Sequence, residues 1–167
     1  MNLGEAAAQA EELWAAGSAR ELADLRTEWG EELESQARSQ DFRERAMVFR
    51  AIGMFRWRAK EELLRRGLDD TSPAARGSAL LSIELMSRDH PSTVNSVRPI
   101  LHKMHADPDE NAAVRRLAVL ALKNGSAQRE TIVLLEGTAA DDEASADLAR
   151  TAASVVQDLK RKAREKH

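Results

Sequence analysis

Residues 107–122 read DPDENAAVRRLAVLAL, and residues 69–83 read DDTSPAARGSALLSI. Both run from an acidic loop into an alanine- and leucine-rich helix with an arginine near its start. Aligned on Arg76 and Arg115, the copies lie 39 residues apart. A third stretch, LARTAASVVQ, brings Arg150 into the series 35 residues later, and Arg45 makes a weaker match 31 residues before Arg76. Ala79, Ala118 and Ala153 each follow their arginine by three residues, while Asp69, Asp107 and Asp142 precede theirs by seven or eight. A unit of this length holds two helices, and self-similarity at such a period is the sequence signature of a helical repeat array.

The rest of the chain agrees with an all-α fold. Of 167 residues, 32% are charged and 4% aromatic, with strong helix formers dominant and no strand-like alternation. Leu3, Ala7, Ala10 and Trp14 form a stripe on a first helix that stops near Gly17. Ser18 and Glu21 have the spacing of a capping box for a second helix, striped by Leu22, Leu25, Trp29 and Leu33. Asp41 and Glu44 repeat the device before a stripe of Val48, Ile52, Phe55, Ala59 and Leu63. No proline interrupts residues 42–66, so one long or kinked helix is expected there, weakened only by Gly53. Pro73 suits the first turn of the next helix. Its partner, with Val94, Val97, Leu101 and Met104, should bend near Pro99, and Gly125 is expected to close the helix of residues 112–122.

These repeats resemble HEAT repeats, including the short class known as PBS-lyase HEAT-like repeats. The resemblance covers residues 69–160 well and 41–68 loosely, and residues 1–40 do not match. It implies a right-handed α-solenoid of HEAT-like helix pairs: one domain over 1–167, with a helical N-terminal cap (1–40), repeats (41–160) and a basic tail (161–167). Such helices need wide apolar faces because neighbouring repeats cover them. Val114, Leu117, Ala118 and Ala121, widened by Leu120 and Leu122, supply one. The resemblance specifies a fold rather than an activity. The first-turn arginines are read as a ladder to neighbouring aspartates.

Composition narrows the chemistry. The chain has no cysteine, which removes disulfides, thiolate metal sites and cysteine nucleophiles. Its first residues lack the pattern of a signal peptide, and no run of about 18 apolar residues occurs, so no membrane association and a cytoplasmic setting are expected. No GxSxG, SxxK, GxGxxG or GKS/T motif is present, so neither catalysis nor a cofactor is expected. His102, His105 and Asp107 carry metal-ligand chemistry, but a lone histidine pair is a weak signal. No metal is assigned, and the histidines are read as surface residues.

Charge is distributed in blocks. Residues 1–40 carry net −6, 41–68 net +4, 106–159 net −5 and 160–167 net +4. The second helix of a HEAT pair lines the concave face, and such helices here carry Arg65, Arg66, Arg98, His102, Lys103 and Arg129. They suggest a basic groove for an acidic segment of another protein. The alternative is nucleic acid, bound by Arg56, Trp57, Arg58 and Lys60 through phosphate contacts and one stacking ring. HEAT-like alkylpurine DNA glycosylases show that such an architecture can hold DNA. The acidic pI of about 5.9 weighs against it.

Overall fold

The structure is a computed structural model that describes residues 1–166. Among them are ten α-helices and one 3₁₀ turn, and no strand. The chain forms two compact units, one spanning Met1–Met86 and the other running from Ser87 to the end of the described residues.

In the first unit, α1 (Leu3–Ala15), α2 (Ala19–Ala37) and α3 (Phe42–Met54) pack against one another. They are followed by α4 (Glu61–Gly67) and α5 (Pro73–Ser87). Helix α1 begins with a capping box between Asn2 and Glu5 and ends in a Schellman motif. There Gly17 has φ +71°, Ser18 N donates to Leu13 O and Gly17 N to Trp14 O. That ending displaces the box expected at Ser18, whose side chain caps nothing. Its backbone at φ −84°, ψ 65° is not the extended cap conformation.

The single helix expected over residues 42–66 is instead two. Helix α3 closes at Phe55, Arg56 takes φ 49°, and a 3₁₀ turn (Arg58–Lys60) leads into α4. No proline or glycine marks the break. The stripe nevertheless reaches Phe55 and Leu63, both buried, while Ala59 between them is exposed. Gly53 is required by packing: its backbone approaches α5 so closely that a Cβ would stand 2.7 Å from Ser82 Cβ and 2.8 Å from Ser82 Cα. Ser82 Oγ donates to Phe49 O at 2.5 Å and accepts from Gly53 N at 3.1 Å.

The second unit holds α6 (Ser92–Asn95), α7 (Arg98–Ala106), α8 (Ala112–Leu122), α9 (Arg129–Ala139) and α10 (Ala146–Glu165). The break between α6 and α7 falls beside Pro99, as expected. Helices α8 and α10 pack together, α8 also meets α7, and α9 lies along α10. Gly125 lies past the end of α8 but closes no left-handed turn. A Cβ there would stand 2.8 Å from Asn95 Oδ1, so close approach is what excludes a side chain. The basic tail is helical through Glu165, and Lys162 Nζ donates to Lys123 O (2.9 Å) and Gly125 O (2.7 Å). It therefore caps the C-terminal end of α8.

Burial follows the repeat. Val48, Ala79, Ala118 and Ala152 are buried, and so are Ala51, Ser82, Ala121 and Val155, and Ile52, Ile83, Leu122 and Val156. The buried positions recur at spacings of 31, 39 and 34. The last differs by one from the spacing of the arginines. Ala152 takes the place expected for Ala153, which is half-buried. Leu117 is also only half-buried, and the wide face of α8 is carried by Val114, Ala118, Val119, Ala121 and Leu122.

Candidate interaction surfaces

The loop acids have a uniform local task. Asp41, Asp70, Asp107 and Asp141 each accept from the amide two residues on, at 2.9 Å. Aspartate does this readily, because its side chain can mimic a backbone turn. Asp41 is also the N-cap of α3, as expected, whereas α8 and α10 are capped by other residues: Asn111 accepts from Ala113 N and Val114 N, and Ser145 from Leu148 N.

The aligned arginines tie their helices to the preceding chain. Arg45 makes a two-pronged ion pair with Asp70 at 2.9 and 3.1 Å and donates to Ser39 O. Burial alone would raise the Asp70 pKa, but Arg45 and the Ser72 amide outweigh it and hold the carboxyl below its ordinary range. Arg76 donates to Asp70 O at 2.7 Å and Arg115 to His105 O at 2.9 Å. Arg45 thus reaches a carboxylate outside its own helix, in the loop before α5. Arg150, one residue out of register with the buried face, is exposed and pairs with Asp147 on its own helix.

The two histidines are not surface residues in waiting for a metal. His105 is 1% exposed, and its Nε2 lies 2.7 Å from Thr138 Oγ1 of α9. His102 Nε2 lies 2.9 Å from Thr131 Oγ1, one helical stretch earlier. Two imidazole–hydroxyl contacts therefore join α7 to α9. Burial first, then Arg115 and His102, pushes His105 down to about 4 from its usual 6.5. Burial also lowers His102, helped by Arg98 and opposed by Glu130. Both favour the neutral ring, as a hydroxyl-bonded internal histidine requires. No cluster of three His, Asp or Glu suited to a metal occurs among the described residues.

Arg98 is likewise engaged: its Nη2 donates to Asn95 Oδ1 and to Ser126 Oγ, the latter at 2.7 Å. Asn95 Oδ1 also accepts from Ser126 N at 2.9 Å, which fixes the loop before α9. Of the second unit's four candidate residues, Lys103 and Arg129 remain exposed without an ionic or hydrogen-bonded side-chain partner among the described residues. In the first unit, Arg65 and Arg66 on α4 are also exposed and unpaired there.

The nucleic-acid candidates have partners. Arg56 pairs with Glu11 at 2.6 Å, donates to Gly53 O, and lies 5.1 Å from the Trp14 ring centroid. Lys60 pairs with Glu34 at 2.6 Å and lies over the Trp57 ring. Arg58 faces Glu61 at 3.7 Å. The Trp57 ring is tilted against buried Phe55 at 5.6 Å and meets Gly30. Arg56 and Lys60 thus tie the chain between α3 and α4 to α1 and α2.

Arg26, which the sequence did not single out, caps the broken end of α3. Its Nε and Nη2 donate to Phe55 O at 2.9 and 2.7 Å, and Nη2 also to Arg56 O. The only forewarning in the sequence is a cation in a strongly acidic helix.

No protein-family model matches this chain, and no curated protein matches it. No helix among the described residues is long and apolar enough to cross a membrane.

Proposed function

We propose that the chain is a non-enzymatic, cytoplasmic protein-interaction module that binds an acidic segment of another protein through exposed cations on its repeat helices. The architecture we assign to it is a right-handed solenoid of HEAT-like helix pairs behind the helical cap of residues 1–40. Four helices with one burial register, and four loop aspartates making the same turn, support the repeat reading.

One contrast carries the functional reading. Arg65, Arg66, Lys103 and Arg129 are exposed and unpaired among the described residues, whereas Arg56, Arg58 and Lys60 face glutamates. An unpaired exposed cation meets an incoming carboxylate without first losing a partner. It steers association more than it adds to folding. In the second unit, Arg98 and His102 tie α7 to the loop before α9 and to α9 itself, the helices that carry Lys103 and Arg129.

The test is fluorescence anisotropy with a labelled glutamate- and leucine-rich peptide and, in parallel, a short single-stranded DNA. Lys103→Glu with Arg129→Glu, and Arg65→Glu with Arg66→Glu, should each weaken peptide binding by about tenfold. The melting temperature should hardly move, since exposed charges contribute little to stability. Peptide binding untouched by both pairs, with DNA binding that falls on Arg56→Ala and Lys60→Ala, would transfer the function to nucleic acid.

A further inference from the structure

The turn between α1 and α2 encloses a cleft of about 280 Å³, lined by Leu13, Trp14, Leu22 and Arg26 and by the turn residues 17–19, Ser18 with its hydroxyl among them. Its apolar wall is held in place. Leu22 is 2% exposed, and Trp14, itself 41% exposed, is braced by the Arg56 guanidinium, which Glu11 fixes in turn. Gly17 leaves open space beside it, with nothing within 4 Å of where a Cβ would be.

The charge in this cleft is uncompensated. Arg26 is half-buried, and no carboxylate among the described residues lies within ion-pair distance of it. Its Nε and Nη2 are held by two main-chain carbonyls, but Nη1 donates to nothing among the described residues. Burial lowers its pKa with no acidic neighbour to offset the effect. Such a charge gains more from an anion than an exposed one does.

We propose that this cleft is a binding site for a small carboxylate with an apolar body, its acid on the free edge of Arg26 and its hydrocarbon against Trp14 and Leu22. The size of the cleft, just under the roughly 300–1,000 Å³ of drug-sized sites, limits the ligand to about one ring and a short acid arm. One free guanidinium nitrogen, with the uncapped Ser18 hydroxyl also lining the cleft, suits the two oxygens of a carboxylate better than a phosphate, which calls for more donors. This site is independent of the exposed cations on α4 and of those on α7 and α9.

The probe is 3-phenylpropionate, titrated at millimolar concentration into the ¹⁵N-labelled full chain, with 3-phenylpropanol as its uncharged counterpart. Backbone and indole signals of Trp14, Gly17, Ala19 and Arg26 should shift together, and the alcohol should bind about tenfold more weakly. Ala19→Glu sets an acid two turns before Arg26 on the same helix face, at a position where an acid suits the helix start, so the variant should fold and lose the ligand. Arg26→Gln should lose it too, with a lower melting temperature because the end of α3 loses its cap. Equal binding of acid and alcohol, shifts centred elsewhere, undiminished binding by Ala19→Glu, or no shift at millimolar ligand would each overturn the proposal.

Discussion

Gly53 and Gly137 both sit inside helices, and replacing each by alanine should change stability in opposite directions. On an exposed helix, glycine to alanine gains about 1 kcal/mol, because alanine loses less backbone freedom on folding. At Gly137 in α9 nothing lies within 4 Å of the new methyl, so Gly137→Ala should stabilise by about 0.5–1 kcal/mol. At Gly53 the same gain meets Ser82, whose Cα would lie only 2.8 Å from the methyl. That atom is backbone and cannot rotate away, so α3 and α5 must separate. Overpacking of this kind costs about 1–3 kcal/mol, and the bonds from Gly53 N to Ser82 Oγ and from Ser82 Oγ to Phe49 O weaken as well. The net should be a loss of about 1–3 kcal/mol. Urea unfolding of both variants beside the parent reads the two signs directly. A stabilised Gly53→Ala would refute the close α3–α5 contact, since propensity alone would then decide.

Two further outcomes follow from burial. His105 titrates near 4 when folded and near 6.5 when unfolded, so the unfolded chain takes up the proton first as pH falls. Its contribution is therefore fully present above about 6.5 and declines toward 4, by up to about 3 kcal/mol. The stability difference between parent and His105→Gln, measured by urea unfolding from pH 7.5 to 4.5, should narrow across that window. A constant difference would show that the ring is not held neutral. On α8, Leu122→Ala should cost about 2–5 kcal/mol and Leu117→Ala clearly less, because Leu122 is 2% exposed and Leu117 half-buried. Equal losses would contradict the burial register.

What could be read from the sequence was periodic. Helix content, the start at Pro73, the break near Pro99 and the stop at Gly17 were legible because each depends on residues close in sequence. The break at residues 55–57 gave no such sign: Arg56 adopts a positive φ without being glycine, and the end of α3 is held by Arg26, 29 residues away from Phe55. In the third copy the arginine lies one residue out of register with the buried face, so the arginine spacing places that copy one residue off. Burial is the stronger constraint, and Arg150, facing solvent, was free to drift. Ser18 failed as a cap for a similar reason, its amide already serving the preceding helix.

The polar residues that most resembled a site in the sequence divide according to their hydrogen bonds. His102, His105 and Arg98 combine charge or metal-ligand chemistry with a shared helix face, yet each bonds within its own unit to a threonine, a serine or an asparagine. Their small hydroxyl and amide partners carry no signal in a sequence. A buried polar group left without such a partner costs more than the bond returns when made, so these matches secure helix contacts that apolar packing leaves open. Ser82 makes the same point at a repeat position where Ala51 and Ala121 stand elsewhere: its hydroxyl bonds to α3 only because Gly53 lets the helices approach. The proposed sites rest on accessible cationic groups that have no such bond to lose to an incoming anion. Lys103, Arg129, Arg65 and Arg66 lack it at the surface, and Arg26 Nη1 lacks it in a cleft. Surface cations are satisfied by water and so favour fast, salt-sensitive capture of a flexible acidic chain. Arg26 is half-buried as a residue and has an apolar wall beside it, which favours a small anion that brings its own hydrocarbon.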